Sequence, residues 1–317
     1  MTNFHPCQIP AAHLARIHTI SSRIAIIGGG SRTGQAFHRL AQRRGLPVRT
    51  LVRTETAAFG PETIVVDDYF DPPDHVFAGI GTTINFAGIT HGNDAALLDA
   101  VNAVGPVRLA EKAKACGVRH FIHLSSFMVY GGIREITRHT AELPDTLYGH
   151  SKLRADKELR VLADDDFTVT ILRLPMLYGR GAGDNLKRIG TLIARLGLFP
   201  IPRRTVRRSV LHVDNLAVIL AALTQTPVSG TLIVADKEPF THAALVDALA
   251  IATGRRPRLV ALPDAAFAIL RVALPGLYNK VYESKFAHPS ECAVPLEPLP
   301  VSLRDGLIEF FASKGFA

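Results

Sequence analysis

Short apolar runs alternate with longer amphipathic stretches through the first half of the chain. Runs rich in β-branched residues predict six strands, and stretches such as TGQAFHRLAQRRG between them have the spacing of helices. The strand runs are RIAIIGG, VRTLVR, TIVVDD, TTINFAG, HFIHLSS and FTVTILRLP. Strands that alternate with helices of this length form right-handed βαβ units. The pattern therefore predicts an α/β fold with a doubly wound parallel sheet, covered by helices on both faces.

The alternation ends after Pro175. Residues 180–210 are rich in Gly, Arg and Pro, whereas SVLHVDNLAVILAALTQ predicts a strand and a helix. GTLIVAD predicts one more strand, and residues 241–317 are predicted to be mostly helical. We expect an N-terminal extension over residues 1–22, a first domain over residues 23–178, and a smaller mixed α/β lobe over residues 179–317. Residues 206–225 are expected to return to the first domain.

The most membrane-like segment is AAFAILRVALPGL, residues 265–277. It is too short to span a bilayer, and Arg271 and Pro275 interrupt it. The segment therefore predicts a buried or interfacial helix rather than an anchor. The first 22 residues have no signal-peptide pattern, so no stable membrane span is expected.

Composition narrows the classes of partner. The 317 residues are 47% hydrophobic and 20% charged, as in an ordinary globular protein, with a formal net charge of +8. That charge favours nucleic acid, a membrane surface or a phosphate-bearing small ligand. The 7% aromatic content and the lack of Trp argue against a nucleic-acid stacking platform. Cys7, Cys116 and Cys292 show no disulfide or metal spacing, so we expect no metal site and a reducing, cytoplasmic setting.

The segment IGGGSRTG places four glycines between the first strand and the first helix. Glycines there let the backbone approach a pyrophosphate that sits over the helix N-terminus. The outer positions of a GxxGxxG spacing are Gly28 and Gly34, with Ser31 in the middle. Such glycines also suit a tight left-handed turn. The strand before and the helix after favour a dinucleotide-binding Rossmann domain.

Arg53 ends the second predicted strand, at the place where many NAD-binding proteins carry an acid that accepts bonds from ribose hydroxyls. A guanidinium offers a planar fork of donors to a 2′-phosphate instead. Arg32 in the loop could cover the same phosphate. A solvated surface arginine is the alternative. The two positions together favour NADP(H), with NAD(H) as the other possibility.

The segment YGHSK places Tyr148 and Lys152 four residues apart, on one face of a predicted helix. A nearby ammonium is expected to lower the tyrosine pKa and to bind a ribose hydroxyl. Ser125 and Ser126 end the strand HFIHLSS, at the sheet edge where ligands of open α/β sheets bind. A lone YxxxK is common by chance, but its place after Ser-Ser and a glycine loop is specific.

These motifs, with VNAVGPVRLAEKAKACG, LRLPMLYGRG and RRSVLHVDNLA, resemble the extended short-chain dehydrogenases/reductases of the NAD-dependent epimerase/dehydratase family. The resemblance runs from Arg23 to about residue 225. It implies that Tyr148 is the acid-base residue, Lys152 its partner, and Ser126 the group that polarises the reacting oxygen. Ser126 is preferred to Ser125 because it lies four residues before Tyr130. The resemblance also implies a homodimer.

The glycine loop, the strand ends and the resemblance together give the expected cofactor contacts. Asp68 is expected near adenine, residues 86–88 near a ribose and Pro175 near nicotinamide. The full set is Gly28, Gly30, Ser31, Arg32, Thr33, Gly34, Arg53, Asp68, Phe86, Ala87, Gly88, Asn102, Tyr148, Lys152 and Pro175.

Four arginines crowd the segment RRTVRRSVLHVDN. A solvated loop or a nucleic-acid patch would explain them, but the resemblance implies that Arg208 grips the diphosphate of a nucleotide-sugar and that Asn185 contacts the same ligand. Arg203 and Arg204 are expected on the surface, and His212 is expected to be structural. Ser126 would also contact the substrate.

The reaction follows from the cofactor. An epimerase returns the hydride it borrows, whereas a reductase consumes a reduced cofactor at each turnover. We therefore expect reduction of C4 of a nucleotide-linked 4-keto-hexose by NADPH. Met176 stands where several nucleotide-sugar epimerases carry an asparagine, which argues against a UDP-galactose-type epimerase. The alternatives are a UDP-hexose 4-epimerase with tightly bound NAD, a non-catalytic NADP-binding regulator, and a reductase of a non-sugar ketone.

Overall fold

Thirteen strands are present in the part of the chain that the computed structural model describes, which is residues 23–90, 92–180, 184–273, 278–279, 281–293 and 299–312. In chain order they are β1 Arg23–Ile27, β2 Val48–Val52, β3 Thr63–Val65, β4 Ile80–Asn85, β5 His120–Ser126, β6 Glu135–Ile136, β7 Thr168–Leu174, β8 Met176–Tyr178, β9 Leu198–Pro202, β10 Val210–His212, β11 Gly230–Ile233, β12 Arg258–Leu262 and β13 Phe286–Ala287.

Seven of these strands form the central sheet, in the order β11-β7-β5-β4-β1-β2-β3. Every neighbouring pair is parallel. The order reverses between β1 and β4, so the sheet edge there is the switch point at which doubly wound folds bind ligands. The predicted fold class is confirmed. Residues 206–225 were expected to return to the first domain. The edge strand β11, which follows that segment in the sequence, also belongs to the central sheet.

Helices cover both faces of the sheet and build most of the second lobe. They are α1 Arg32–Arg44, α2 Ala95–Asp99, α3 Gly105–Ala115, α4 Leu147–Leu162, α5 Asp184–Leu196, α6 Val213–Gln225, α7 His242–Thr253, α8 Asp264–Ala273 and α9 Leu303–Ala312. A π-helical turn, Ala100–Val104, joins α2 to α3 immediately before Pro106. Proline lacks an N–H and crowds the turn before it, which accounts for wider winding at that point.

Alternate residues of each central strand enter two separate cores. Along β1, Ile24 and Ile26 pack with α1 and α6, whereas Ala25 and Ile27 pack with α3 and α4. Both faces are buried, which is why the strands read as continuous apolar runs. The sheet is therefore a rigid support, and its C-terminal edge positions the loops described below.

The second lobe has its own core, which includes Tyr178, Phe199, Leu249 and Phe311. The expectation of a mostly helical region after residue 241 is only partly met, because β12 pairs with β9 and β13 pairs with β6. Both partners are distant in sequence, so no local pattern could reveal these pairs. No helix among the described residues is long and apolar enough to cross a membrane.

Candidate active site

Three of the four glycines in the loop after β1 lie where an added Cβ would meet neighbouring atoms. Gly28 has a φ of +79°, and a Cβ there would lie 2.9 Å from the backbone N of Ala87. A Cβ on Gly29 would lie 2.2 Å from Thr50 Cγ2, and one on Gly34 would lie 2.8 Å from the Gly28 oxygen. The loop therefore brings α1 directly against β1 and the end of β4. Gly29, which was not among the expected contacts, is as constrained as Gly28.

Ser31 begins α1 as its N-cap, and its Oγ accepts a hydrogen bond of 3.1 Å from the Gly34 N–H. This bond explains how a serine fits the middle position of the glycine spacing. Arg32 and Thr33 form the first turn of α1 and lie at the helix end that favours anions. This arrangement has the chemistry of a pyrophosphate cradle.

The open space at Gly30 allows a test of this packing. Gly28→Ala is expected to lower the free energy of unfolding by at least the ~1–2 kcal/mol of a left-handed alanine, because its Cβ also meets backbone. Gly30→Ala has no atom within 4 Å of the new Cβ and is expected to leave stability unchanged. Urea unfolding followed by circular dichroism measures both. Equal stability of the two variants would contradict the close packing.

A cavity of about 580 Å³ opens beside the glycine loop, at the end of β2. Its lining includes Gly30, Gln35, Arg39, Arg53 and Thr54. The exposed Arg53 guanidinium lies over the ring of Tyr69, 5.6 Å from the ring centroid. The end of β2 thus presents the Arg53 side chain at the cavity beside the glycine loop.

Ser126 and Tyr148 meet at the C-terminal edge of β5. Thr146 caps α4 through the Gly149 N–H at 3.0 Å, and Tyr148 lies in the first turn of that helix. A Cβ on Gly149 would lie 2.5 Å from the Met128 oxygen, so this glycine lets α4 approach the turn after Ser126. Burial raises the pKa of Tyr148 to about 12, although a hydrogen bond with Ser126 opposes that rise.

Lys152 is buried one turn along α4, and its Nζ donates to the Leu124 oxygen at 3.0 Å. Burial lowers the pKa of Lys152 to about 8, while the charge of Asp156 opposes that shift. The expected lowering of the Tyr148 pKa by this ammonium is therefore wrong for the protein as it stands. Burial of the phenol is the largest influence, and it acts in the opposite direction.

Gly88 and Asn102 lie beside Lys152. A Cβ on Gly88 would be 3.1 Å from Asn102 Oδ1 and 3.6 Å from Lys152 Nζ. The Asn102 amide accepts from the Ile89 N–H at 3.0 Å and donates to the Ile89 oxygen at 2.9 Å. Asn102 therefore fixes the loop after β4, which contains residues 86–88, the expected ribose contacts. The Asp68 carboxylate similarly caps its own loop, accepting from the Phe70 N–H at 2.8 Å.

A buried ion pair behind the site was missed by sequence reasoning. Asp156, four residues after Lys152, accepts from Ser125 Oγ at 2.9 Å and from Arg173 at 3.0 and 3.1 Å. Ser125 and Ser126 thus face different groups, since Ser125 binds Asp156 and Ser126 lies at Tyr148. The spacing of Lys152 and Asp156, one helical turn apart, was the only sign of this pair in the local sequence. Arg173 comes to lie beside Asp156 because β7 pairs with β5 in the sheet.

In the second lobe, the Arg208 guanidinium donates to the backbone oxygens of Asn279 and Glu283, both at 2.7 Å. Arg204 was expected to be a surface residue, but its guanidinium donates to Tyr278 Oη at 3.2 Å and to the Tyr282 backbone oxygen at 2.7 Å. Arg203 is exposed. Asn185 belongs to α5, and its side chain lies outside the described part of the structure.

Lys285 is a second cation of the second lobe, and no motif in the sequence singles it out. Its Nζ donates to the Gly131 oxygen in the loop that follows Ser126, and its backbone is paired with Arg207 and Ser209. Burial and the charge of Arg208 lower the pKa of Lys285 to about 8. Two cations of the second lobe, Arg208 and Lys285, therefore lie on neighbouring backbone segments, and Lys285 contacts the loop after Ser126.

His212 makes structural contacts at the start of α6. The His212 ring caps α6 through the Asp214 N–H at 3.2 Å and packs edge-on against Tyr178, with ring centroids 5.1 Å apart. Pro175 separates β7 from β8 at the same sheet edge. Within the described ranges, no group of three His, Cys, Asp or Glu side chains could hold a metal ion.

Comparison with known proteins agrees with this geometry. The sequence profile of the NAD dependent epimerase/dehydratase family matches residues 24–234, and the chain belongs to that family. The recognition from sequence is confirmed, and the protein is an enzyme of the short-chain dehydrogenase/reductase type with a nicotinamide dinucleotide cofactor.

Two curated relatives carry different activities in their names. A ceramide reductase of Caulobacter vibrioides is 28% identical over 250 residues, which are 76% of this chain and 74% of that protein. A UDP-glucose 4-epimerase of Vibrio cholerae is 32% identical over 163 residues, which are 48% of this chain and 49% of that protein. The relatives therefore include both a reductase and an epimerase.

Solved structures share the fold at low identity. The UDP-N-acetylglucosamine 4-epimerase from Bacillus cereus superposes with a TM-score of 0.72 at 16% identity, covering 93% of this chain and 100% of that one. The structure of MoeE5 in complex with UDP-glucose and NAD superposes with a TM-score of 0.68 at 19% identity, covering 91% of this chain and 97% of that one. At these identities the likeness establishes the fold alone.

Proposed function

We propose that this enzyme reduces a ketone with NADPH, and that its substrate is a nucleotide-linked 4-keto-hexose. The observation that carries the proposal is the position of Arg53. Its guanidinium lies at the end of β2, beside the cavity next to the glycine loop, where an acid would favour NAD. A planar cation there complements a 2′-phosphate dianion.

The residues at the sheet edge fit a dinucleotide. Gly28 and Gly34 let the loop pack closely against its own backbone and the end of β4, and α1 begins at this loop with its N-terminus, where anions bind. Lys152, Gly88 and Asn102 form the inner end of the groove. When bound, NADPH supplies the hydride, and the chain supplies the position and the proton.

The protonated Tyr148 phenol can supply the proton that reduction requires. With a pKa raised to about 12, its phenol holds a proton throughout the neutral range. Reduction needs such a proton on the ketone oxygen as hydride arrives, whereas oxidation of an alcohol must begin by removing one. The Ser126 hydroxyl holds the same oxygen, and Lys152, with a pKa of about 8, remains mostly charged at pH 7.

The cations Arg208 and Lys285 support a substrate with a diphosphate. Both come from the second lobe, and Lys285 reaches the loop after Ser126. A second substrate class, a ketone borne on a long-chain lipid, is favoured by the likeness to a ceramide reductase over about three-quarters of both chains. Assays with both substrate types under NADPH separate the two.

The cofactor prediction is tested by changing one charge. Arg53→Asp is expected to weaken NADPH binding at least tenfold and to leave or improve NADH binding, because charge-assisted bonds to the 2′-phosphate are lost. Calorimetry on ligand-stripped protein measures both affinities. Arg43→Asp, an exposed change of the same charge near the end of α1, is the control and should alter neither.

Tight NADH binding that is indifferent to Arg53 would contradict NADPH-dependent reduction. It would favour the second candidate function, a UDP-hexose 4-epimerase, which the Vibrio cholerae relative supports. An epimerase keeps its cofactor through purification and isomerises UDP-hexose without consuming NADPH, so absorbance of the purified protein and a coupled assay distinguish the two.

A further inference from the structure

The strand β12 and the helix α8 form an outlying unit of the second lobe. Most of residues 254–273 are exposed, including the first four residues of β12. The unit is anchored inward by Phe267, which is buried with its ring 4.9 Å from the ring of Tyr282. This unit contains most of the segment that the sequence marks as membrane-like.

The outer face of α8 is apolar. Ile269 is 70% exposed and Val272 is 84% exposed, and Ala265 and Ala268 are also exposed. These four residues recur at helical spacing on the side opposite Phe267. A helix at the surface of a globular protein normally exposes polar residues to solvent, whereas the solvent-facing side of α8 is apolar.

The apolar face lies in a strongly basic stretch. Between residues 254 and 273 there are four arginines, Arg255, Arg256, Arg258 and Arg271, and one acid, Asp264. All four arginines are exposed, and Arg256 also pairs with Asp247 at 2.7 Å. The exposed arginines and the exposed aliphatic side chains belong to one short stretch of chain, and that combination complements an anionic lipid headgroup layer.

We propose that β12 and α8 form an interfacial surface that docks the enzyme on anionic membranes. The ten residues of α8 are about 15 Å long, too short to span a bilayer, so the helix would lie in the interface plane. The inference is independent of the proposed reaction, which needs no membrane.

Vesicle co-sedimentation tests the proposal on the full-length protein. The protein is expected to bind vesicles of phosphatidylcholine with phosphatidylglycerol and to remain unbound with phosphatidylcholine alone. Val272→Asp should lower the partition coefficient about tenfold, because a carboxylate replaces an inserted aliphatic group. Val161→Asp makes the same change at an equally exposed valine, 83%, on α4 and should bind as the wild type does.

The double variant Arg255→Glu/Arg258→Glu should also lose binding, and added salt should weaken binding of the wild type. Circular dichroism confirms that each variant is folded. Absence of binding to anionic vesicles, or equal loss with Val161→Asp, overturns the proposal. So does a lower molar mass of Val272→Asp by light scattering without lipid, because that result assigns the face to a second copy of the chain.

Discussion

Replacing Tyr148 with phenylalanine is expected to lower kcat/KM for ketone reduction by about 10²- to 10⁴-fold, the usual contribution of a positioned acid. The change removes the hydroxyl and keeps the ring, so the packing at the start of α4 is retained. NADPH affinity should change little, because the contacts that we propose to the pyrophosphate and the 2′-phosphate come from the glycine loop and Arg53. Steady-state kinetics and calorimetry on the same preparation measure the two effects separately.

The adjacent serines provide a matched control. Ser126→Ala is expected to reduce kcat/KM, because Ser126 lies at Tyr148, whereas Ser125→Ala removes a bond to the buried Asp156 and should mainly reduce stability. If Tyr148→Phe keeps the wild-type rate, or if the cellular role survives the change, the non-catalytic NADP-binding regulator becomes the better reading. Loss with Ser125→Ala rather than Ser126→Ala would reverse the assignment of the two serines.

Replacing Arg173 with alanine is expected to lower the free energy of unfolding by about 3–5 kcal/mol, the usual cost of leaving one partner of a buried ion pair. Arg173 and Asp156 are both buried, and the guanidinium also donates to Glu142 at 2.6 Å. Burial raises the pKa of Asp156 while Arg173 opposes the rise, so loss of Arg173 leaves the Asp156 carboxyl group with the Ser125 hydrogen bond but without its buried cation. Urea unfolding at pH 7 measures the change.

Arg154 on α4 is the control for this experiment. It pairs with Asp99 and Glu158 at the surface, and Arg154→Ala should leave the urea midpoint unchanged. The double variant Asp156→Leu/Arg173→Met should recover part of the loss, because it removes both charges and keeps apolar volume. If Arg173→Ala lowers the free energy of unfolding no more than Arg154→Ala does, the Asp156–Arg173 pair is solvated rather than buried.

The candidate site residues that the sequence itself brings together have short-range spacing. Gly28 and Gly34 follow a strand and begin a helix, and Tyr148 and Lys152 share one face of a helix, so short-range geometry places each group. Lys285 is different, since it reaches the loop after Ser126 from more than a hundred residues away in sequence. The direction of the Tyr148 pKa shift was also wrong, because burial depends on packing that no motif encodes.

The sequence by itself determined the family, the parallel α/β sheet and the positions of Arg53, Ser126, Tyr148 and Lys152, because apolar period and residue spacing act over one or two elements. Only the tertiary structure decided which groups surround them. It paired β12 with β9, set Arg173 against Asp156, fixed Arg204 to Tyr282 and left the apolar face of α8 outward. Each of these depends on long-range packing, in which a residue's neighbours are chosen by the whole fold rather than by the chain beside it.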